Sequence, residues 1–125
     1  MNLHQAVRSA YKIGVFGSDG NHCTERAKKI GYEVGKLLAE NGAVVLTGGG
    51  SGVMEEAALG ATEAGGLVIS ISPGGTVKEA HDASSIIIPT GIGFARGQIL
   101  TNTVDGAILV EGGVGTYQEA AFMYW

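Results

Sequence analysis

The stretch AVVLTGGGSGVMEEAALGATEA, residues 43–64, combines three patterns that follow one another directly. Residues 43–46 form a short apolar run rich in valine, which is typical of a buried strand. The glycine cluster at 47–52 has the composition of a turn, and residues 51–64 have the spacing of a helix. A strand that passes through a tight turn into a helix is the basic unit of a parallel sheet with crossover helices.

The rest of the chain alternates in the same way. Four further apolar runs predict strands, at residues 12–16, 67–71, 85–88 and 107–110. Segments with helical spacing predict helices at residues 24–40, at 94–104 and from 116 onwards. Residues 73–82 are interpreted as a loop that holds one helical turn at most.

This alternation predicts the fold class. Strands that are apolar on both faces belong in a parallel sheet that helices cover on both sides. We therefore expect a single α/β domain over residues 1–125, doubly wound and Rossmann-like, with a five-stranded parallel sheet of order 3-2-1-4-5. In that order the ligand crevice lies between the first and fourth strands.

Composition limits the possible functions. The chain has 8 Lys and Arg against 12 Asp and Glu, so its formal net charge is −4 and nucleic-acid binding is disfavoured. No apolar stretch approaches the length of a membrane span, and Cys23 is the only cysteine, so we expect a soluble, cytoplasmic protein. No histidine has a partner at metal-ligand spacing. We therefore expect no metal site and interpret His4, His22 and His81 as solvated or capping residues.

Glycine-rich turns follow all five predicted strands. They are GSDG (17–20), TGGGSG (47–52), PGG (73–75), PTGIG (89–93) and EGGVG (111–115). The carboxyl ends of parallel strands share one edge of the sheet, and ligands of open α/β folds bind there. Bare glycine backbone and helix N-termini at that edge favour an anion, so we expect a phosphorylated ligand. Neither the dinucleotide motif G-x-G-x-x-G nor the P-loop motif G-x-x-x-x-G-K-[ST] is present.

Three of these segments carry a family resemblance. IGVFGSDG (13–20), TGGGSGVMEEAALGA (47–61) and GGVGTYQE (112–119) resemble the signatures of a Rossmann-like superfamily. That superfamily contains the Lonely Guy phosphoribohydrolases, also called lysine decarboxylase-like proteins, and the molybdenum-cofactor carrier proteins. The hydrolases have proline where this chain has Glu111 and lysine where it has Gly97, and the segment FARGQIL (94–100) resembles the carrier branch more.

The resemblance implies a set of site residues. The catalytic arginine and glutamate of the hydrolases correspond to Arg96 and Glu119 here. The 5′-phosphate loop of the family corresponds to Gly112, Gly113, Gly115 and Thr116. Together with the other glycine turns, the expected phosphate- or nucleotide-binding residues are Gly17, Ser18, Gly48, Gly49, Gly50, Gly112, Gly113, Val114, Gly115 and Thr116.

Each of the two catalytic candidates also has a structural interpretation. Thr116 and Glu119 have the spacing of a capping box, in which the glutamate stabilises the start of a helix, so both roles stay open for Glu119. Arg96 opens a predicted helix, where a cation opposes the helix dipole, and this position favours an anionic partner. The alternative for Arg96 is a surface ion pair with a carboxylate.

Two function classes are compatible with these patterns. The first is a carrier or sensor that binds a nucleotide or a phosphorylated cofactor, including a molybdenum-cofactor-type ligand, and requires no other cofactor. The second is a nucleoside 5′-monophosphate phosphoribohydrolase, in which Arg96 orients the ligand and Glu119 stabilises the developing positive charge on the ribose. A relative that binds single-stranded DNA is a weaker alternative, because the chain is acidic.

The C-terminal segment YQEAAFMYW, residues 117–125, is apolar around most of a helix. Such a helix must be covered by other protein. We expect either a homodimer or higher homo-oligomer formed through this region, as the family resemblance also implies, or a chain that is truncated relative to the family.

Overall fold

The computed structural model describes residues 1–81 and 83–112. Its strands are β1 (Lys12–Gly17), β2 (Val44–Thr47), β3 (Val68–Ser72), β4 (Ile86–Pro89) and β5 (Gly106–Val110). Its helices are α1 (Leu3–Ser9), α2 (Glu25–Glu40), α3 (Val53–Glu63) and α4 (Arg96–Thr103), with short 3₁₀ turns at Val77–Glu79 and Gly93–Ala95. The helix predicted from residue 116 lies outside the described residues, and so do the site candidates Gly113, Val114, Gly115, Thr116 and Glu119.

The five strands form one parallel sheet, which confirms the predicted fold class. The order is β4-β3-β2-β1-β5, so β4 pairs with β3 and β5 pairs with β1. This differs from the expected order 3-2-1-4-5, in which the fourth strand was placed beside the first.

The connections explain the observed order. The segment between β3 and β4 contains only a 3₁₀ turn among its described residues, and a short connection keeps consecutive strands adjacent. The start of β5 is fixed beside the start of β1 by a reciprocal pair of hydrogen bonds. The Lys12 N–H donates to the Asp105 carboxylate over 2.8 Å, and the Asp105 N–H donates to the Lys12 carbonyl over 2.7 Å.

The core lies on both faces of the sheet, because neighbouring strand residues point to opposite sides. On one face, Val15 and Val45 pack with Ala57 of α3 and with α2. On the other face, Phe16 and Leu46 pack with Leu100 of α4. Helices on both faces are the defining feature of a doubly wound sheet.

Helices α2 and α3 approach each other at backbone distance. A Cβ atom added to Gly35 of α2 would lie 1.9 Å from the Ala57 carbonyl oxygen, and one added to Gly60 of α3 would lie 2.1 Å from the Tyr32 carbonyl oxygen. Only glycine fits at these two positions. The contact fixes the two helices relative to each other.

The three predicted helices that fall within the described residues are confirmed with small shifts at their ends, and one further helix was missed. Helix α2 begins after Thr24, whose hydroxyl accepts a hydrogen bond from the Ala27 N–H. The missed helix is α1, where Asn2 and Gln5 form a capping box that the sequence displays. Among the described residues, the structure contains no helix that is long and apolar enough to cross a membrane.

Candidate functional site

The turns after β1, β2 and β5 contact one another at the carboxyl edge of the sheet. The Val53 N–H donates to the Ser18 carbonyl over 3.1 Å, which joins the turn after β1 to the turn after β2. A Cβ atom on Gly17 would lie 2.2 Å from the Val110 carbonyl, so β1 and β5 also meet there at backbone distance. The strand order reverses between β1 and β5, and the crevice expected between the first and fourth strands therefore belongs at this position instead.

Arg96 lies against the turn after β2. A Cβ atom on Gly48 would be 2.6 Å from Nη2 of Arg96 and 2.7 Å from its Cζ, so the guanidinium occupies the space that a side chain at residue 48 would fill. Arg96 is the first residue of α4 and is half-buried. The structure thus brings together Arg96 and Gly48, two predicted site residues that lie on different elements.

A buried network of polar side chains holds the turn after β2 in place. The Thr47 hydroxyl accepts a hydrogen bond from the Gly49 N–H over 3.1 Å and contacts the Ser70 hydroxyl at 2.8 Å and Nε2 of His81 at 3.3 Å. Ser70 contacts the Ser84 hydroxyl, which lies 3.3 Å from Nδ1 of His81, so the four side chains form a closed ring. The His81 N–H also donates to the Gly49 carbonyl over 3.3 Å.

The ring corrects the interpretation of His81 as a solvated or capping residue. His81 is 7% exposed, and Thr47 and Ser70 are fully buried. The His81 side chain and its backbone N–H therefore belong to the network that holds Gly49 in place.

The turn after β1 is held by a more exposed pair. The Asp19 carboxylate accepts a hydrogen bond from the Asn21 N–H and lies 2.9 Å from Nδ1 of His22. The contact with His22, more than the one with Asn21, holds the pKa of Asp19 below its ordinary value. His22 is therefore a turn residue on the surface, in agreement with its predicted role.

Glu111, the first residue after β5, contacts the turn after β1 and the start of α2. Its carboxylate accepts hydrogen bonds from the Thr24 hydroxyl at 3.0 Å, the Thr24 N–H at 3.3 Å and the Ser18 hydroxyl at 3.1 Å. The bonds from Thr24, and then the bond from Ser18, hold the pKa of Glu111 below its ordinary value of 4.5, although desolvation acts in the opposite direction. The Glu111 backbone has φ of 47°, in the left-handed region that residues other than glycine rarely adopt.

These contacts of Glu111 were not predicted. Ser18 and Glu111 are 93 positions apart, so no local pattern connects them. The available signal was a carboxylate at the end of one strand and a helix-capping hydroxyl, Thr24, after another. Only the β1–β5 pairing brings these two features together.

The described site candidates lie at one edge of the sheet. Gly17 is the last residue of β1, and Ser18 follows it. The turn of Gly48, Gly49 and Gly50 follows β2. Gly112 comes two residues after the end of β5, directly after Glu111. Over residues 1–81 and 83–112, no group of three or more His, Cys, Asp or Glu side chains has an arrangement that could hold a metal ion. Among the described residues, this edge presents glycine backbone, the Ser18 hydroxyl, the Arg96 guanidinium and the carboxylates of Asp19 and Glu111.

A protein-family model described as the SLOG cluster4 family matches residues 10–125. The chain belongs to the SLOG cluster4 family. A curated relative, an uncharacterised protein of Archaeoglobus fulgidus, is 43% identical over 111 residues, which cover 88% of this chain and 71% of the relative.

Solved structures of other proteins resemble this SLOG cluster4 chain. The molybdenum cofactor binding protein of Rippkaea orientalis matches with a TM-score of 0.88 and 40% identity, over 91% of this chain and 70% of that one. The molybdenum cofactor carrier protein of Chlamydomonas reinhardtii matches with a TM-score of 0.83 and 38% identity, over 92% of this chain and 70% of that one. These similarities confirm the resemblance to the carrier branch of the superfamily.

Proposed function

We propose that this SLOG cluster4 protein binds a phosphorylated small molecule, either a nucleotide or a phosphorylated cofactor, and acts as a carrier or sensor. The observation that carries the proposal is the position of Arg96. Its guanidinium lies across the bare backbone of Gly48, at the edge where ligands of open α/β sheets bind. A guanidinium beside glycine backbone is suited to a phosphate, because its planar donors match the phosphate oxygens.

The location of Arg96 at the start of α4 supports the same conclusion. An anion bound near this helix start is attracted both by the first N–H groups of the helix and by the guanidinium. Two similar solved structures are described as a molybdenum cofactor binding protein and a molybdenum cofactor carrier protein. A molybdenum-cofactor-type ligand is therefore the first candidate, and nucleoside monophosphates are the second.

Turnover is the alternative function, and Arg96 supports it as well, because the hydrolases of the superfamily use an arginine at this place. Against it, Glu111 replaces a proline of the hydrolases, and Gly97, which is buried, replaces a lysine. The site thus has one positive charge fewer and one negative charge more than the hydrolase pattern. We infer binding without turnover, with Arg96 in a binding role.

One experiment separates the two functions. The protein is incubated with nucleoside monophosphates and, in parallel, with molybdenum cofactor, and its melting temperature is recorded together with any release of free base and ribose 5-phosphate. A ligand that binds the folded state raises the melting temperature as its concentration exceeds Kd. Stabilisation without products supports a carrier or sensor, and formation of products identifies a hydrolase. If no ligand raises the melting temperature and no products form, the proposal is wrong.

Self-association also stays a prediction, because the segment 117–125 lies outside the described residues. Deletion of residues 122–125 followed by light scattering tests it. Assembly through this segment is supported if the unmodified protein is an oligomer and the shortened protein has the mass of a monomer. The prediction is wrong if the shortened protein keeps the oligomeric mass, or if the unmodified protein is already a monomer.

A further inference from the structure

The carboxylate of Glu111 occupies a position that suits an anion. Thr24 is the N-cap residue of α2, the helix that follows β1. Its N–H and its hydroxyl both donate hydrogen bonds to the Glu111 carboxylate, and the Ser18 hydroxyl donates a third. The helix after the first strand is where dinucleotide-binding folds place a pyrophosphate. In this protein the donors at that place are already engaged by a side chain of the same chain.

The backbone of Glu111 shows that this contact is built into the fold. A left-handed conformation disfavours glutamate relative to glycine, and the three hydrogen bonds to the carboxylate offset that cost. A glycine at residue 111 would adopt the same backbone without strain but would leave the donors of Ser18 and Thr24 open.

The charges at the edge are therefore arranged unequally. The side formed by the turn after β2 has the guanidinium of Arg96 across Gly48. The side formed by β1, the start of α2 and the end of β5 has the negative charge of Glu111. One phosphate group can bind beside Arg96. A second phosphate placed beside Thr24 would meet donors that already bind Glu111, and it would be repelled by the negative charge of Glu111.

We propose that Glu111 is a specificity-determining residue that restricts the site to ligands with a single phosphate group and disfavours diphosphates and dinucleotides. This inference rests on the proposed function, because it requires a phosphate to bind at this edge. It adds the class of phosphate ligand and assigns a role to Glu111 that does not depend on whether the ligand is turned over.

The test compares inorganic phosphate and pyrophosphate as probes, measured by isothermal titration calorimetry at pH 7. The variants are Glu111→Gln, which keeps the shape of the side chain and removes its charge, and Glu111→Gly, which removes the side chain and relieves the left-handed conformation. Glu40→Gln is the matched control, because it changes the net charge equally at the exposed, opposite end of α2. Circular dichroism establishes that each variant is folded.

The expected result is a gain that is specific for pyrophosphate. Glu111→Gln and Glu111→Gly each bind pyrophosphate about tenfold more tightly than the unmodified protein does, because a like-charge contact is removed. Phosphate affinity changes by less than about threefold in either variant, since the phosphate binds beside Arg96, and Glu40→Gln changes neither affinity.

Three results would overturn the inference. They are unchanged pyrophosphate affinity in both folded Glu111 variants, an equal gain in Glu40→Gln, and an unmodified protein that already prefers pyrophosphate to phosphate by more than tenfold. Failure of the proposed function is recognised separately, because the unmodified protein would then bind no phosphate at all. If no variant binds either probe, both proposals are wrong.

Discussion

The turn after β2 and the turn after β5 are both rich in glycine, yet they carry opposite charges. The first, TGGGSG, has no ionisable side chain of its own and takes its charge from Arg96 across Gly48. The second begins with Glu111, whose carboxylate contacts Ser18 and Thr24. Similar turn sequences thus give different electrostatic environments, because the charge beside the first turn comes from a distant side chain and the charge of the second comes from its own first residue.

The two turns also differ in how they are held. Thr47, Ser70 and His81 support the turn after β2 from within the core, where solvent does not compete with their hydrogen bonds. The contacts of Glu111 lie at the surface. We therefore expect the turn after β2 to depend on buried polar groups and the turn after β5 to depend on the charge of one carboxylate.

Replacing Arg96 has the largest expected effect. Arg96→Gln removes the charged donors, which are worth about 1.5–3 kcal/mol, so phosphate affinity falls by roughly 10- to 150-fold. Titration calorimetry with inorganic phosphate measures the loss. Arg96→Lys is the control and recovers only part of the affinity, because an ammonium lacks the planar pair of donors. Equal affinity in Arg96→Gln and the unmodified protein would show that the cation at this edge does not bind the ligand.

Removing the buried hydroxyl below the same turn has the next largest effect. Thr47→Val keeps the shape of the side chain but removes the hydroxyl that accepts from the Gly49 N–H and contacts Ser70 and Nε2 of His81, at an expected cost of about 2 kcal/mol in the free energy of unfolding. Urea unfolding measures the change. Thr47→Ser retains the hydroxyl and serves as the control. If the valine variant is as stable as the serine variant, the ring does not support the turn.

A methyl group at residue 48 tests the contact between the turn and Arg96. Gly48→Ala displaces the guanidinium, since the new Cβ would lie 2.6 Å from Nη2, and we expect phosphate affinity to fall by about fivefold to tenfold. The guanidinium is the end of a flexible side chain, so stability changes little. In an Arg96→Gln background the same alanine has no further effect. Additive losses in this double-mutant cycle would separate the two residues.

On the side of Glu111, the cap of α2 gives a smaller effect. Thr24→Ala removes the acceptor for the Ala27 N–H and one donor to Glu111, at a cost of about 1 kcal/mol in the free energy of unfolding. Thr24→Ser retains both contacts and is expected to match the unmodified protein in urea unfolding. A serine variant as unstable as the alanine variant would show that the methyl group, and not the hydroxyl, stabilises this region.

The smallest effect is the pH dependence of Glu111. Its pKa in the folded protein lies below 4.5, so the charged carboxylate contributes stability that is fully present above pH 4.5 and is lost as the pH falls through the lowered pKa. The difference in unfolding midpoint between the unmodified protein and Glu111→Gln is therefore expected to shrink in acid. Urea unfolding from pH 7 to pH 3 measures it. A difference that is constant over this range would contradict a role for the charge.

The fold class was predictable because each strand and helix has a local period, as in residues 43–64. The strand order was not predictable, because it depends on contacts between distant residues, such as Lys12 with Asp105, and no local sequence pattern shows them. The position of Arg96 at the carboxyl edge of the sheet was predictable, because the residue opens a predicted helix that follows a strand. The burial of His81 could not be predicted, because a single histidine in a loop has the same local sequence whether it is solvated or enclosed by hydroxyls.

The reciprocal hydrogen bonds between Lys12 and Asp105 lie at the far end of the β1–β5 pair from Glu111. Five paired residues, or about 17 Å of strand, separate this clamp from the carboxyl edge. Sequence changes at that edge can accordingly alter the charge of the turns while the alignment of the two strands is preserved. The paired strands β1 and β5 can in this way carry turns of different charge. The residue that follows β5 is therefore a defined position at which protein engineers can change that charge.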